Sequence, residues 1–236
     1  MSGNTPRRGI ALITIDPGDD LAGLRAWYES VRLPTTLAVP GVTGVTRWEV
    51  VSRYGRTPGG GGHVELPAPP AYVVIYELDD VAVARSEAFL DAAGRDFTQV
   101  AVIDGTEVEF SQVINVTLGF VMEQANPEAA TTQTRAIMAV SISPRREWIP
   151  MLHEWYDDVH VPELMSCPGF LRTRRFESLD GIKNFFALYE LDDSAALFSE
   201  EFKHFSGRKV DELPAIQQQL QPNMTGNICD IYRRLD

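Results

Sequence analysis

Lysine is nearly absent from this chain. Only Lys183, Lys203 and Lys209 stand among 21 basic residues, against 33 Asp and Glu, for a formal net charge of −12. Such a surface repels phosphate backbones and anionic headgroups, which argues against nucleic acid and membrane partners. No run approaches the roughly 18 apolar residues of a spanning helix. The first apolar stretch, IALITI (10–15), ends at Asp16-Pro17 and reads as an opening strand, not a signal peptide. Cysteine is scarce too. Cys167 and Cys229 lie far apart without metal-ligand spacing, and are expected to be buried thiols in a reducing, cytoplasmic setting. A Gly-x-Gly-x-x-Gly after a strand, a P-loop and a Gly-x-Ser-x-Gly elbow are all missing, so the common dinucleotide, nucleotide and hydrolase signatures are not available. What is present suits a soluble globular protein: 236 residues, 44% hydrophobic and 23% charged.

The chain is written twice. Residues 26–49 match 154–177 without a gap at Trp27/Trp155, Tyr28/Tyr156, Val31/Val159, Pro34/Pro162, Pro40/Pro168, Gly41/Gly169, Arg47/Arg175 and Glu49/Glu177. Residues 72–95 match 185–208 through YELDD (76–80 and 189–193), Ser86/Ser199, Phe89/Phe202 and Gly94-Arg95/Gly207-Arg208. A weaker match sets Asn115 on Asn227 and Phe120 on Tyr232. The offset falls from 128 to 113 between the two blocks, so the first copy holds 15 extra residues, placed at YGRTPGGGGHVELPAPP (54–70). Its glycines and prolines read as a flexible loop, either a plain insertion or, with His63, a lid.

Each copy repeats one order. A strand (10–15; 137–142) leads to a helix (19–32; 145–160) in which Trp148, Leu152, Trp155 and Val159 recur at helical spacing. Pro162 is expected to end that helix. Two strands follow (45–51 and 71–78; 170–178 and 184–191), then a second helix capped by Asp79-Asp80 or Asp192-Asp193 and closed by Gly94 or Gly207. A last strand (113–121; 227–234) completes the copy. The expected class is α+β: two ferredoxin-like βαββαβ repeats, residues 1–123 and 136–236 joined by a linker at 124–135, with their antiparallel sheets packed face to face.

The string WYDDVHVPELMSCPGF resembles the EthD-like branch of the dimeric α/β-barrel superfamily. Members carry a Tyr or Phe, then His-x-Pro, then Pro-Gly opening the second strand; here these are Tyr156, His160-Val161-Pro162 and Pro168-Gly169. The resemblance spans both copies and implies a barrel built within one chain, where relatives pair two subunits. It also implies a small-molecule ligand and chemistry ranging from cofactor-independent monooxygenation, cyclisation and lactone isomerisation to haem enzymology. The first copy departs from the pattern, with Arg32 in the histidine's place.

His160 is the leading candidate for chemistry, since an imidazole near a helix end can exchange protons at neutral pH. Tyr156 and Asp157 are expected to share its face and orient one ring nitrogen, and a helix C-terminus would favour the imidazolium. The competing reading is a capping histidine. His153, Asp157 and His160 follow a helical metal spacing, but no second cluster adds a ligand, so no metal is expected. Arg32 either fixes a ligand anion or, more commonly at such a position, pairs with a neighbouring acid. Arg174 shares a strand face with Arg172 and is a second candidate to hold an oxyanion. Arg47 and Arg175 are expected to bond Glu177 or the YELDD acids. Tyr28, Tyr189 and His204 are candidate ligand contacts. Tyr76/Tyr189 and Glu77/Glu190 recur in both copies, as a fold requirement or as an acid/base pair. Trp48, Phe120, Phe176, Phe185, Phe186 and Tyr232 are expected in the core or at an apolar barrel mouth. The resulting expectation is a protein binding a small apolar, aromatic or polyketide-like molecule, with cofactor-independent isomerase, cyclase, dehydratase or decarboxylase chemistry at His160. The alternatives are a haem- or oxygen-dependent oxidoreductase, with His160 or His204 as haem ligand, and a non-catalytic carrier. A homodimer of the tandem chain is left open.

Overall fold

A computed structural model describes residues 7–18, 21–56, 63–67, 71–95, 97–103, 105–178, 185–208 and 210–235. The first half runs β1 (Gly9–Asp16), α1 (Leu21–Trp27), a π turn (Tyr28–Arg32), α2 (Leu33–Leu37), β2 (Val42–Arg56), β3 (His63–Leu66), β4 (Tyr72–Leu78), α3 (Glu87–Ala93), β5 (Phe97–Ile103) and β6 (Thr106–Ala125). The second runs β7 (Ala136–Pro144), α4 (Ile149–Trp155), a π turn (Tyr156–His160), α5 (Val161–Met165), β8 (Phe170–Ser178), β9 (Phe185–Leu191), α6 (Glu200–Ser206), α7 (Ala215–Leu220) and β10 (Met224–Arg234).

The strands follow the order β6-β1-β4-β2 in one half and β10-β7-β9-β8 in the other, all antiparallel. Two βαββαβ halves thus form two four-stranded sheets, as expected. β2 pairs with β10 and β6 with β8, so each half lends its edges to the other and the sheets close into a barrel. Closure leaves no free edge along these strands. It is completed within one chain.

Each sheet has two buried faces. Ile10, Leu12, Trp48, Val50, Val73, Ile75, Ile137, Phe176, Leu188 and Tyr232 come from both halves and fill the space between the sheets. The opposite faces carry Tyr72, Val74 and Tyr76 in one half and Ala187, Tyr189 and Leu191 in the other, under their helices. Period-2 alternation therefore sends Tyr76 and Tyr189 outward to the helices and Glu77 and Glu190 inward. Trp48, Phe176, Phe186 and Tyr232 belong to the barrel core, whereas Phe185 packs under the second half's helices. Between the sheets the described residues form a packed core.

Repeated residues repeat their tasks. Asp80 accepts from the Ala82 N–H at 3.0 Å and Asp193 from Ala195 at 2.8 Å, capping short 3₁₀ turns; Ser86 and Ser199 then cap α3 and α6 through the Phe89 and Phe202 N–H groups. The cap of the second helix is thus the serine, one turn beyond the aspartates expected there. Gly41 and Gly169 turn into the second strand at φ 92° and 84°, where a Cβ would lie 2.7 and 2.6 Å from the Oδ1 of Asp79 and Asp192. Gly94 has φ 85°, but Gly207 ends α6 at φ −91°, without the positive φ expected of it.

The first half's additions are more ordered than their composition suggests. β3 pairs with the long tail of β2, so part of the 54–70 insertion is sheet, while Gly59–Gly62 lie outside the described residues. β5 and the start of β6 add a hairpin that the repeat did not reveal. The span taken as a linker holds the end of β6 and a 3₁₀ turn at Pro127–Ala130.

At one barrel mouth Arg174 donates to Glu77 across the two halves at 2.7 Å and lies 2.9 Å from Glu190. Arg8, Thr46, Glu123 and Arg172 join them around a cleft of about 370 Å³. Removing the central guanidinium takes the cation from Glu77 and leaves the buried Glu190 with the more distant Arg172, at 3.8 Å, and the Thr134 hydroxyl. We expect Arg174→Met to cost roughly 3 kcal/mol in urea unfolding at neutral pH, with partial recovery in Arg174→Met/Glu190→Gln. An unchanged midpoint would remove this ion pair from the forces joining the halves.

Candidate functional site

The helix does not end at Pro162. Val161 keeps helical angles (φ −66°, ψ −47°), and α5 continues to Met165. A proline inside a helix has no N–H to donate, and its ring collides with the carbonyl four residues back. The π turn relieves both problems by widening the ladder just before the proline. Val161 donates to the Tyr156 carbonyl, and Leu33 before Pro34 donates to Tyr28, both spanning five residues. Such turns concentrate at functional sites.

A five-residue turn also changes which side chains meet. His160 stacks on Trp155, five positions back, with ring centroids 4.3 Å apart and planes 20° from parallel. In the first half Arg32 lies over Trp27, also five back, at 5.3 Å. Tyr156 and Tyr189 present to the His160 ring at 5.2 and 6.1 Å, nearly perpendicular. The residue keeps a partial opening to solvent, while these rings wall it in. The site therefore lies between the π turn and the outer face of β9, outside the barrel interior.

Asp157 does not orient His160. It receives a hydrogen bond from Arg175 of β8, whose other nitrogen donates to His153 Nδ1 at 3.1 Å. That guanidinium lies over the Tyr156 ring at 4.1 Å. Arg47 meets Glu29 at 3.0 Å at the matching positions of the first half, so strand-to-turn ion pairing is common to both copies. The partners expected of Arg47 and Arg175, Glu177 or the YELDD acids, are replaced by acids on the turn. His153 and Asp157 both face a cation already, which explains their spacing without a metal. Among the described residues no cluster of His, Cys, Asp and Glu is arranged to hold one.

Burial and the nearby Arg175 push His160 down to about 3, so the expectation of an imidazolium is reversed: the ring is neutral at ordinary pH. Burial, then the same arginine, also lowers His153. Burial raises Tyr156 to about 12 and raises Tyr189 as well. Trp155 Nε1 is buried without a hydrogen-bond partner among the described residues, and the buried Tyr189 hydroxyl has the Tyr156 hydroxyl beside it, outside good hydrogen-bond geometry. A buried donor without a partner is uncommon and calls for an explanation. Cys167 and Cys229 are free thiols raised by burial to about 11 and 12.

The candidate residues divide into four places. His160, Tyr156 and Tyr189 meet; Asp157 joins them through Arg175. Tyr28 and Arg32 form the corresponding place in the first half, with the Tyr28 and Tyr76 hydroxyls 3.4 Å apart. Arg174 is committed to Glu77 and Glu190 on the inner sheet face and is not available to an oxyanion beside His160. His204 is exposed on α6, in a surface cleft with Arg208 and Leu213. Trp155 and Arg175 had not been singled out for the site, although both are identical in the two copies. Their identity was the available signal.

The depressed His160 makes stability depend on pH. Between about 3 and its ordinary value near 6.5 the unfolded chain binds the proton that the folded ring refuses, so stability falls as pH drops through that window. We expect the His160 ring proton signals to show no titration above about pH 4 in NMR spectra. His160→Gln should show a shallower loss of stability over the same window, and titration of His160 near 6.5 would show that the ring is not enclosed.

No family model matches the chain, and no curated protein matches it. Solved structures do. A candidate monooxygenase from Fusobacterium nucleatum subsp. nucleatum superposes with TM-score 0.56 at 11% identity, covering 99% of this chain and 94% of that one. A second candidate monooxygenase, from Lactobacillus acidophilus, gives 0.53 at 7% over 97% and 94%. An anthrone oxidase-like protein gives 0.50 at 8% over 96% and 91%. At such identities the likeness concerns the fold, and the fold is that of the ferredoxin-like dimeric α/β barrels, closed here within one chain.

Proposed function

We propose that this chain is an enzyme that binds a small, flat, largely apolar molecule, aromatic or polyketide-like, at the second half's π turn. His160 takes a proton from it without a cofactor. The observation carrying this reading is a neutral imidazole stacked on Trp155, whose buried Nε1 lacks a partner among the described residues, beside a Tyr189 hydroxyl that meets that of Tyr156. A ligand oxygen in this place would satisfy the indole.

A neutral imidazole can accept a proton but has none to spare for acid catalysis. Its low proton affinity reflects burial and a neighbouring cation, and a negative charge forming on the ligand would raise it. Proton transfer is then favourable only as the substrate anion develops, and Arg175 stabilises that anion electrostatically. Enolisation of a carbonyl compound by this route leads to isomerisation, with the proton returned at another carbon, or to cyclisation through attack of the enolate on a second carbonyl. Deprotonation of a phenol or anthrone gives an electron-rich anion able to meet dioxygen, the chemistry suggested by the names of the anthrone oxidase-like and monooxygenase structures. Both routes share the first step.

Haem fits this place poorly. An axial histidine presents a ring nitrogen at its edge to the macrocycle, and the His160 ring is crowded by Trp155, Tyr156 and Tyr189, with centroids 4.3, 5.2 and 6.1 Å away. His204 lies on an exposed helix face, without the enclosed slot that would hold the group. No step is assigned to haem.

The test is turnover of a panel of anthrones, quinols and enolisable lactones, with and without oxygen. We expect His160→Gln to lower kcat/KM about 10²–10⁴-fold on the active compound, and Tyr189→Phe to lower it by less. Oxygen dependence separates oxidation from isomerisation. Equal turnover by wild type and His160→Gln would rule out the base, and saturable binding without turnover across the panel would favour a carrier.

A further inference from the structure

Arg32 is short of partners in a protein rich in acids. Arg47, Arg53, Arg174, Arg175 and Arg208 are each wholly or partly buried and each meet a carboxylate. Arg32 meets none among the described residues, against the expectation that a neighbouring acid would claim it. One terminal nitrogen donates to an uncharged acceptor, Gln99 Oε1, at 3.2 Å. The other, Nη1, is buried with no acceptor among the described residues. Burial lowers Arg32, and the Tyr28 and Tyr76 phenols oppose that shift.

The fold makes room for this guanidinium. A Cβ on Gly94 would lie 2.2 Å from Nη1 and would displace the guanidinium from this place, and Gly94 has φ 85°, which strains any other residue there. The π turn stacks the same group on Trp27. Gln99 occupies the position of a carboxylate partner, with its own amide nitrogen donating to the Arg95 and Thr98 carbonyls at 3.1 Å each. A guanidinium offers a planar fork suited to two carboxylate oxygens, and an amide oxygen satisfies it only in part.

We propose that the first half binds a small organic carboxylate at Arg32, which exchanges the Gln99 amide oxygen for the ligand's two oxygens. The chain would then hold two unlike sites at matching positions, a neutral one at His160 and a cationic one at Arg32. This inference does not rest on the chemistry assigned to His160.

The experiment is a titration of the full chain with benzoate, and in parallel with neutral benzamide, read from the Trp27 indole N–H signal, assigned with Trp27→Phe. Benzoate should shift the signal saturably in wild type, and Arg32→Gln should bind it about tenfold or more weakly. Benzamide should bind both proteins alike and weakly, and His160→Gln should bind benzoate as wild type does. If Arg32→Gln does not fold, Arg32→Lys keeps the charge but loses the fork and should still weaken benzoate. Equal benzoate affinity with and without the Arg32 fork overturns the proposal. So do benzamide binding as tight as benzoate, loss of binding in His160→Gln instead, and no saturable response in wild type.

Discussion

A four-stranded ferredoxin-like sheet leaves two edges with unpaired backbone groups and one face without cover, and everything else in this structure follows from how those needs are met. β2 and β6 of the first half take β10 and β8 of the second, so the hydrogen bonds that close one sheet close the other. The inner faces then bury each other around Trp48, Phe176 and Tyr232. Neither half can move far from its partner without exposing both a ladder and a core. The mouth of the barrel shows the same constraint in charge: Arg174 of one half sits between Glu77 of the other and its own half's Glu190.

The described residues between the sheets are packed, and His160, Tyr156, Tyr189 and Arg32 lie in the outer layer, between helices and sheet. There each half repeats a device of three parts. A tryptophan opens the turn, an ion pair ties it to the second strand (Arg47 with Glu29, Arg175 with Asp157), and a proline follows the widened ladder. The residue at the end of the turn is stacked on the tryptophan whatever its identity. A buried ring at that position must shed its charge or find a counter-ion. Histidine does the first, with its proton affinity driven down. Arginine cannot lose its proton at ordinary pH and keeps its charge at the cost of an unsatisfied nitrogen.

Much of this architecture was legible. YELDD, Pro-Gly and the Ser86/Ser199 with Phe89/Phe202 pairs mark turns and caps whose geometry recurs, so their identity across the copies located every main element. The edge pairing was less accessible, because period-2 patterns say which side chains share a face and not which strands are neighbours. The hairpin of β5 and β6 carried a signal that went unused: Asp104-Gly105 stands between two alternating runs, and Gly105 has φ 80°. The site was the least legible. Helical spacing of 3 and 4 set Tyr156 and Asp157 beside His160, whereas a five-residue turn brings Trp155 there and sends Asp157 to Arg175. A proline rule that stops helices could not reveal a proline that widens one.

The identities and the one exchange therefore have different physical grounds. Trp27/Trp155, Arg47/Arg175 and Pro34/Pro162 take the same places in both turns: the tryptophan under the last turn residue, the arginine on the turn's acid, and the proline after the widened ladder. Position 32/160 makes none of those contacts to the sheet seam or the barrel core, so its side chain is free to differ as long as the surroundings accept it. In the first half they do so through Gly94, which leaves room for a guanidinium, and Gln99, which accepts from it. In the second half the His160 ring rests against Tyr189 as well as Trp155, and its mate to Gly94, Gly207, simply closes a helix. Gly94 and Gly207 are the same residue in different conformations, and Gln99 comes from β5, part of the hairpin added to the first half. The asymmetry therefore lies in the backbone and the added strand around each turn, which set two different electrostatic environments on one repeated frame.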